Sequence, residues 1–421
     1  MKQQQADCAC DEIPQSLIST SEALALLIGS ARVINTTQMV MLDDALDRVL
    51  ATDVRATINV PGFDNSAMDG YALHLQEDQL GVAGGVAFEI TDRIPAGSIG
   101  NVLAPGCAAR IFTGAPVPEG ANTIIMQEEC ELIEKGSKIE IYRPIAYNEN
   151  IRPMGNDIQS GSVILQVGLK LQPQAIALAA SVGVNVLEVF NKIKVGVFFT
   201  GDELVEPGRA LEAGQIFNSN RYSLVALLNK LGCEVVNLGN VEDTLDATCS
   251  ALERLSAECD LVITTGGVSV GEEDHVKPAV EKLGELSLWR IKMKPGKPLA
   301  FGNVGDSAFI GLPGNPVSAM VTFLLFARPF IKKMQGVSDY LNTTVRVEAN
   351  FDWHRSKPRR EFIRVCLDHN TAPAKASQYP KQGSDILSSM VWADGLIEIP
   401  EKTTFKSGDM CCSSTEIACI K

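Results

Sequence analysis

The sequence predicts a multidomain protein of the α/β and β classes, built around a doubly wound and mainly parallel sheet. The chain has 421 residues, which is more than one hydrophobic core usually organises. Strand-like and helix-like segments alternate between residues 193 and 337, as in βαβ units. Short β-rich segments broken by Gly and Pro fill residues 53–145 and 338–421, which indicates two further β domains.

The N-terminal segment, residues 1–52, has apolar residues at helical spacing. Ser19 or Ser21 is expected to cap a helix, because Glu22 follows in the first turn as in a capping box. A second helical run is expected through residues 46–50.

A later segment, residues 146–192, is expected to pack on these helices, so that one domain is formed from two parts of the chain. Pro173 marks the start of a helix, and an apolar run at 184–189 predicts a strand. Between the two parts, residues 53–145 are expected to form a small β domain, with strands at 86–91, 108–113, 123–127 and 138–142.

The central domain, residues 193–337, has the clearest pattern. Gly232 follows one helical run as a stop signal, and Pro316 opens another run at its first turn. The last domain, residues 338–421, returns to short alternating strands, which predicts a C-terminal β barrel or sandwich. In the central domain, strands are predicted at 193–200, 234–238, 260–265, 288–292 and 308–311, and helices at 219–231, 244–257 and 277–283.

The composition is that of an ordinary globular protein. The chain is 45% hydrophobic and 21% charged, and no uncharged apolar run reaches the ~18 residues that a membrane span needs. Its formal charge of −14 argues against nucleic-acid binding, which favours a basic surface. The first residues show no apolar secretion signal, so a cytoplasmic protein is expected, and its 11 cysteines are expected to be free thiols.

Doubly wound proteins bind ligands beyond the carboxyl ends of their strands, and glycines and polar residues follow several of the predicted strands. Glycines let backbone amides approach an anion, and the helix from Pro316 is expected to offer amides to a phosphate. Glu203, Asp243 and Asp274 supply the hard oxygen atoms that Mg²⁺ prefers. Each loop alone is also compatible with an ordinary tight turn. The full set is Asp202, Glu203, Asp243, Gly266, Gly267, Ser269, Gly271, Asp274, Pro313, Gly314, Asn315 and Pro316.

Positive charge is concentrated in one part of this acidic chain. Arg290, Lys292, Lys294 and Lys297 lie within eight residues of sequence. The KPGKP string lacks the order of a phosphate-binding P-loop, so an oxyanion pocket and a charged surface turn both stay open. His275 is either an acid–base group beside the acidic loop or a bystander.

Two stretches of the small β domain, 61–72 and 111–120, have the mixed texture of ligand-binding loops. They combine apolar and polar side chains without helical or strand periodicity. Thr113 stands at a strand end, where its hydroxyl can meet a ligand. The alternative is that both stretches are plain turns flanked by core residues.

Taken in order, these segments resemble the bacterial molybdopterin molybdenumtransferase family, called MoeA, which is related to the gephyrin E domain. No single string is decisive, but the ordered set is specific. The matching strings are PGFDNSAMDGYA at 61–72, FTGAPVPEGA at 112–121, GNDI at 155–158, TGDEL at 200–204, TTGGVSVGE at 264–272, KPGKP at 294–298 and GLPGNPVSA at 311–319, with weaker similarity in KPRREF at 357–362 and QGSDILSS at 382–389.

The resemblance implies an elongated four-domain subunit whose two-segment domain is a helical and extended dimerisation domain. It implies a homodimer with each active site between the α/β domain of one chain and the β domain of the other. It also implies the reaction: Mg²⁺-dependent insertion of molybdate into adenylylated molybdopterin, with release of AMP. Docking of the molybdopterin adenylyltransferase that supplies the substrate, or of the apo-molybdoenzymes that receive the product, stays open.

The resemblance also assigns roles to individual positions. Catalytic roles are implied for Asp69, Glu203, Asp243, Asp274 and Lys294. Substrate binding is implied for the glycine-rich and proline-rich loops named above and for Thr113, Asp157, Asp202, Arg290, Lys297, Arg359 or Arg360, and Ser384.

Two positions depart from the family pattern. Arg290 stands where a lysine is expected, which replaces a compact ammonium by a planar fork, and His275 replaces a tyrosine.

Three rival functions stay open: loading of tungstate, simple hydrolysis of an adenylylated pterin, and a non-catalytic scaffold.

Overall fold

A seven-stranded sheet forms the centre of the molecule. The computed structural model describes residues 17–82, 84–267, 274–296 and 298–414. Neighbouring strands are parallel except at Pro298–Val304, which runs antiparallel to both of its neighbours. The mainly parallel sheet that the alternating pattern predicts is therefore present. Across the sheet the strands are Leu17–Ile18, Gly284–Ile291, Pro298–Val304, Ser307–Leu312, Leu261–Thr265, Lys194–Phe199 and Glu234–Asn240.

Helices cover both faces of this sheet. Val195, Val197 and Phe199 pack in the apolar core on one face, while Phe198 packs in a second core on the other. Because both faces of a strand are buried, the sheet is doubly wound. The helices are Thr20–Ser30, Ser219–Lys230, Leu245–Glu258, Val276–Leu283 and Pro316–Thr322, the last of which continues through the π-helix Phe323–Ala327 into Arg328–Met334.

The strand Pro298–Val304 is not predicted by the hydrophobic pattern. It forms a hairpin with Ser307–Leu312 around Gly305, whose φ is +57°. Gly302 interrupts its apolar run, and a side chain there would approach the Glu285 carbonyl oxygen to 2.0 Å. The close backbone contact requires glycine. Because glycine adds no apolar side chain, the hydrophobic pattern of the sequence does not indicate this strand.

The N-terminal helix Thr20–Ser30 belongs to the central domain, not to the two-segment domain predicted for residues 1–52. Ser19 caps this helix and Glu22 completes the predicted capping box. Ala23 and Leu27 of the helix are buried in the central core. The preceding strand adds an edge to the central sheet.

Residues after this helix form antiparallel strand pairs with the later segment. The helix predicted at 46–50 is absent, because Asp47 has a φ of +62°, which is incompatible with a right-handed helix. The antiparallel pairs are Thr37–Met41 with Val186–Phe190, Val54–Arg55 with Val163–Leu165, and Asn65–Ser66 with Ile151–Arg152, accompanied by the 3₁₀-helix Leu42–Asp44 and the helix Pro173–Ser181.

The small β domain contains a six-stranded sheet, and its strands include all four that the sequence predicts. Two apolar clusters fill the domain, one of which contains Tyr71 and Phe88. In order across the sheet the strands are Thr123–Met126, Gly70–Leu73, Cys107–Ile111, Val86–Ile94, Lys138–Ile141 and Glu131–Ile133, and the 3₁₀-helices are Glu77–Gln79, Gln127–Glu129 and Glu134–Gly136.

The C-terminal domain curls into a ring of five strands. The ring closes because Arg360–Asp368 pairs with both Lys375–Gln378 and Gly395–Ile399. A sixth strand, Met293–Lys294, comes from the central domain and pairs with the start of Arg360–Asp368, which brings the lysine loop against the ring. The other strands of the ring are Thr344–Ala349 and Met410–Ser414, and the domain also contains the helix Ser388–Trp392. Beside the central sheet, the short strands Leu204–Val205 and Ile216–Phe217 pair with each other.

In the described ranges, none of the helices combines the length and the apolar character that crossing a bilayer requires. The cysteines whose side chains are described are free thiols, as expected.

Candidate active site

A cleft of about 900 Å³ opens at the carboxyl edge of the central sheet. Loops that follow the strands Lys194–Phe199, Leu261–Thr265 and Ser307–Leu312 form one wall. The loop around Lys294 and part of the C-terminal domain form the other wall. Of the residues predicted from the sequence, the cleft is lined by Glu203, Gly266, Gly267, Lys294, Pro313, Gly314, Asn315, Pro316, Arg359 and Ser384.

Glu203 is held at the cleft by the turn after strand Lys194–Phe199. Gly201 has a φ of +141°, and a side chain there would lie 2.6 Å from Glu203 Oε2. Glycine at this position therefore leaves room for the carboxylate. The Ile216 amide donates to the Glu203 carbonyl oxygen at 2.8 Å and fixes the turn. Asp202 is exposed on the same turn and does not line the cleft.

The glycine-rich loop brings bare backbone to the cleft, and the Asp274 carboxylate lies next to that backbone without lining the cleft itself. Gly266 and Gly267 have φ values of +86° and +63°. A side chain on Gly267 would lie 2.4 Å from Val276 Cγ2 and 3.3 Å from Asp274 Oδ1. Asp274 is thus directly beside the cleft wall. The predicted residues Ser269, Gly271 and Lys297 lie outside the described residues.

The loop 313–316 packs backbone against backbone on the glycine-rich loop. A side chain on Gly314 would lie 3.6 Å from Gly266 Cα. Asn220 Nδ2 donates to the Gly314 carbonyl oxygen at 2.6 Å and to Thr265 Oγ1 at 3.3 Å. Asn220 lines the cleft but is missed by the sequence analysis. The feature that could have identified Asn220 is its position in the first turn of a helix that starts at the carboxyl edge of the sheet.

The helix start at Pro316 does not offer the set of amides that the sequence predicts for a phosphate. Proline has no N–H group, and the Val317 amide donates to the Ser384 carbonyl oxygen at 3.0 Å. Asn315 Nδ2 also donates to Ser384 Oγ at 3.3 Å. The helix start therefore holds a loop of the C-terminal domain, and this loop carries Ser384 to the cleft.

A buried arginine holds the same loop from the other side. Arg364 is 0% exposed. Its Nε donates to Ser389 Oγ at 2.9 Å, and its Nη2 donates to the Gly383 carbonyl oxygen at 2.8 Å. Burial lowers the pKa of Arg364 to about 10, and the nearby Asp385 carboxylate opposes this shift. Arg364 is a functional candidate that the sequence analysis does not identify.

The structure places Arg359, and not Arg360, on the cleft wall. Arg360 forms ion pairs with Glu398 at 2.5 Å and with Glu401 at 3.3 Å, and it lines a different, apolar pocket. Arg360 is the first residue of the strand Arg360–Asp368, whereas Arg359 precedes the strand, and the two neighbouring arginines line different pockets. The expectation for Arg360 is corrected accordingly.

Asp243 and Arg290 also lie off the cleft wall. Asp243 follows the strand Glu234–Asn240 at the same edge of the sheet, and Arg290 lies within a strand beside Leu17. Where the structure describes the chain, no three carboxylate, histidine or cysteine side chains come together as metal ligands. The predicted magnesium site of Glu203, Asp243 and Asp274 is therefore not assembled as a group of three.

His275 lies at the start of the helix Val276–Leu283, next to Asp274, and it is not among the residues that line the cleft.

The predicted residues of the small β domain form a separate group. Asp69 Oδ1 accepts hydrogen bonds from the Thr113 amide at 2.8 Å and from Thr113 Oγ1 at 2.9 Å. These two bonds, together with the charge of Arg110, lower the pKa of Asp69, so the carboxylate is ionised at neutral pH. Asp157 is exposed on a loop whose backbone pairs with Val60. Neither Asp157 nor any residue of 53–145 lines the cleft.

Three family models match consecutive parts of the chain. The MoeA N-terminal region (domain I and II) matches residues 18–183, a probable molybdopterin binding domain matches 196–333, and the MoeA C-terminal region (domain IV) matches 346–413.

Curated relatives and solved structures are similar over most of the chain. A molybdopterin molybdenumtransferase of Haemophilus influenzae is 42% identical over 323 residues, which cover 76% of this chain and 78% of the relative. One of Bacillus subtilis is 33% identical over 378 residues and covers 88% of each chain. A crystal structure of the molybdopterin biosynthesis MoeA protein from Pyrococcus horikoshii OT3 is 31% identical, covers 94% of this chain and 99% of that one, and has a TM-score of 0.82.

Proposed function

Because the chain belongs to the MoeA family of molybdopterin molybdenumtransferases, we propose that it inserts molybdate into adenylylated molybdopterin and releases AMP. Membership of the family makes it a transferase of molybdenum cofactor biosynthesis. The observation that carries the finer proposal is the cleft, where Glu203, two glycine backbones and Lys294 meet from three different loops. A phosphorylated substrate and an oxyanion require such a combination of groups.

The cleft is suited to the negative charge of both reactants. Gly266 and Gly267 carry no side chains, so a phosphate oxygen can approach their backbone closely. Lys294 and Arg359 bring positive charge to the cleft walls of a chain whose formal charge is −14. Without this local charge, the field of the whole molecule would repel two anions.

Glu203 and Asp274 are the carboxylates that would hold Mg²⁺ at this cleft. Mg²⁺ is commonly bound by one or two carboxylates together with substrate phosphates and water, so the donor set fits without Asp243. When bound, Mg²⁺ would neutralise charge on the phosphoanhydride and so favour its cleavage. In the same place, Glu203 and Asp274 orient the attacking oxygen atom of water or molybdate, and Lys294 stabilises the charge that develops on the phosphate.

A second copy of the chain completes the site in this proposal. Thr113 Oγ1 donates a hydrogen bond to Asp69 Oδ1, and both residues lie in a domain that does not reach the cleft of its own chain. Exposed apolar side chains accompany both groups: Phe63 and Met68 before Asp69 are 49% and 41% exposed, and Phe217 on the cleft is 44% exposed. Aromatic and methionine side chains are enriched at protein interfaces, which supports a homodimer with Asp69, Thr113 and Asp157 facing the partner's cleft.

The proposal is tested by incubating the purified full chain with adenylylated molybdopterin, Mg²⁺ and molybdate, and measuring AMP and molybdenum bound to the pterin. We expect AMP release that depends on both ions and matches the molybdenum incorporated. AMP release without incorporation would instead indicate a hydrolase. A parallel reaction with tungstate in place of molybdate measures which oxyanion the protein prefers. Binding of the pterin without any turnover would contradict the proposal and favour a scaffold.

A further inference from the structure

On the basis of the proposed function, we infer that Glu361 is a positioning residue for this reaction and that it acts through Lys294. Glu361 Oε1 lies 3.4 Å from Lys294 Nζ. Glu361 belongs to the strand Arg360–Asp368 of the C-terminal domain, whereas Lys294 belongs to the loop of the central domain that lines the cleft. The two residues are register partners in a parallel strand pair. Their backbones therefore hold the two side chains next to each other.

The two partners are buried to very different degrees. The side chain of Glu361 is 7% exposed, whereas that of Lys294 is 40% exposed. Glu361 Oε2 is buried and has no hydrogen-bond partner. A buried carboxylate with one unpaired oxygen destabilises a fold. The stability of the C-terminal ring therefore does not account for a carboxylate here, whereas its effect on the lysine does.

The separation of the pair shows how this effect works. A charged N–H···O hydrogen bond is typically ~2.7–2.9 Å long. At 3.4 Å the carboxylate attracts the ammonium without holding it in a short bond. A lysine ammonium has several donors on a long flexible stem, so those not directed at Glu361 can meet an anion in the cleft. Glu361 thus limits the positions that the ammonium of Lys294 occupies.

This arrangement gives the C-terminal domain a part in the reaction. Ser384 and Arg359 bring polar groups of that domain to the cleft wall. Glu361 does not line the cleft, but it controls the placement of a lysine that does. Misplacement of a binding group by about 1 Å can lower a reaction rate by ~100-fold. Removal of a side chain that orients a metal ligand costs about 10- to 100-fold, and we expect an effect of the same size for a side chain that orients Lys294.

The test compares Glu361→Gln with a matched control, Glu398→Gln. Both changes remove one negative charge from the same ring of strands, but Glu398 pairs with Arg360, away from the cleft. We expect kcat/KM for AMP release to fall about 10- to 100-fold in Glu361→Gln and less than about twofold in the control. Because the buried charge is unfavourable, Glu361→Gln is also expected to melt at or above the temperature of the unmodified protein.

A double-mutant cycle with Lys294→Met separates an effect through the lysine from an effect on the fold. If Glu361 acts through Lys294, then Glu361→Gln changes affinity or rate less than about twofold once the lysine is gone. The cycle is read from AMP release and from the dissociation constant for inorganic molybdate, so it gives a result even if the unmodified chain does not turn over. Failure of the unmodified chain to release AMP contradicts the proposed function alone.

Two results overturn the inference. One is a Glu361→Gln protein as active as Glu398→Gln. The other is the same fold-loss from Glu361→Gln with and without Lys294, accompanied by a lower melting temperature, which would assign Glu361 a purely structural role.

Discussion

Asp274→Asn is expected to abolish AMP release and leave the fold intact. Asp274 Oδ1 lies 3.3 Å from the position that a side chain on Gly267 would occupy, so the carboxylate borders the wall of the cleft. Asparagine keeps the volume of the side chain but loses the charge needed to hold a cation and to orient the attacking oxygen. Loss of one such group costs ~10²–10³ in rate, and loss of the cation adds to it, so we expect at least about a 10³-fold decrease.

The matched control is Asp306→Asn. Asp306 is exposed in the hairpin turn between Pro298–Val304 and Ser307–Leu312, at the end of the sheet opposite to the cleft. We expect this variant to release AMP at the normal rate, and both variants to melt within a few degrees of the unmodified protein. An Asp274→Asn protein that is folded and active would refute the role assigned to Asp274.

Arg364→Met is expected to lower the free energy of unfolding by about 2–4 kcal/mol, the range for a buried charged group that loses its hydrogen bonds. The change removes the hydrogen bonds to Ser389 Oγ and the Gly383 carbonyl oxygen. Relief of the buried charge, which already lowers the pKa of the guanidinium to about 10, offsets part of the loss. Because the loop between these partners carries Ser384, the rate of AMP release should fall as well.

Urea denaturation of the full chain measures the first effect, and Arg364→Lys is the control. Lysine keeps the charge but cannot reach both acceptors with one planar group, so we expect an intermediate stability. If Arg364→Met is as stable and as active as the unmodified protein, the buried arginine does not hold this loop.

The sequence predicts the central architecture well because the evidence for it is local. Strand and helix periods alternate along the chain, and Ser19 with Glu22 forms the expected cap. Where an element depends on distant contacts, the local pattern fails. Asp47 adopts a positive φ within a segment that has helical spacing, and Gly302 conceals a strand whose backbone approaches its neighbour closely.

The site is predictable to the level of loops but not of individual side chains. Glycines after strands indicate the correct edge of the sheet, and Glu203, Lys294 and Ser384 do line the cleft. Which of the adjacent residues Arg359 and Arg360 faces the cleft depends on where the strand Arg360–Asp368 begins, and the sequence does not fix that point.

Arg364 and Glu361 are missed for a related reason. A charged residue within a β-strand pattern predicts a solvent-facing position. Glu361 is instead buried where the C-terminal and central domains meet, and Arg364 is buried between its strand and a loop. Their burial depends on contacts between parts of the chain that are distant in sequence, and no local pattern reports these contacts.

Mixing two inactive variants tests whether each active site combines the cleft of one chain with the Asp69–Thr113 group of another. Asp69→Asn and Asp274→Asn chains, differently tagged, are mixed and allowed to exchange, and exchange is verified by co-purification through one tag. Random assortment makes about half of the dimers mixed, each with one intact site, so about a quarter of the normal AMP release rate should return. If mixed dimers form but release no more AMP than either variant alone, the two chains do not share an active site.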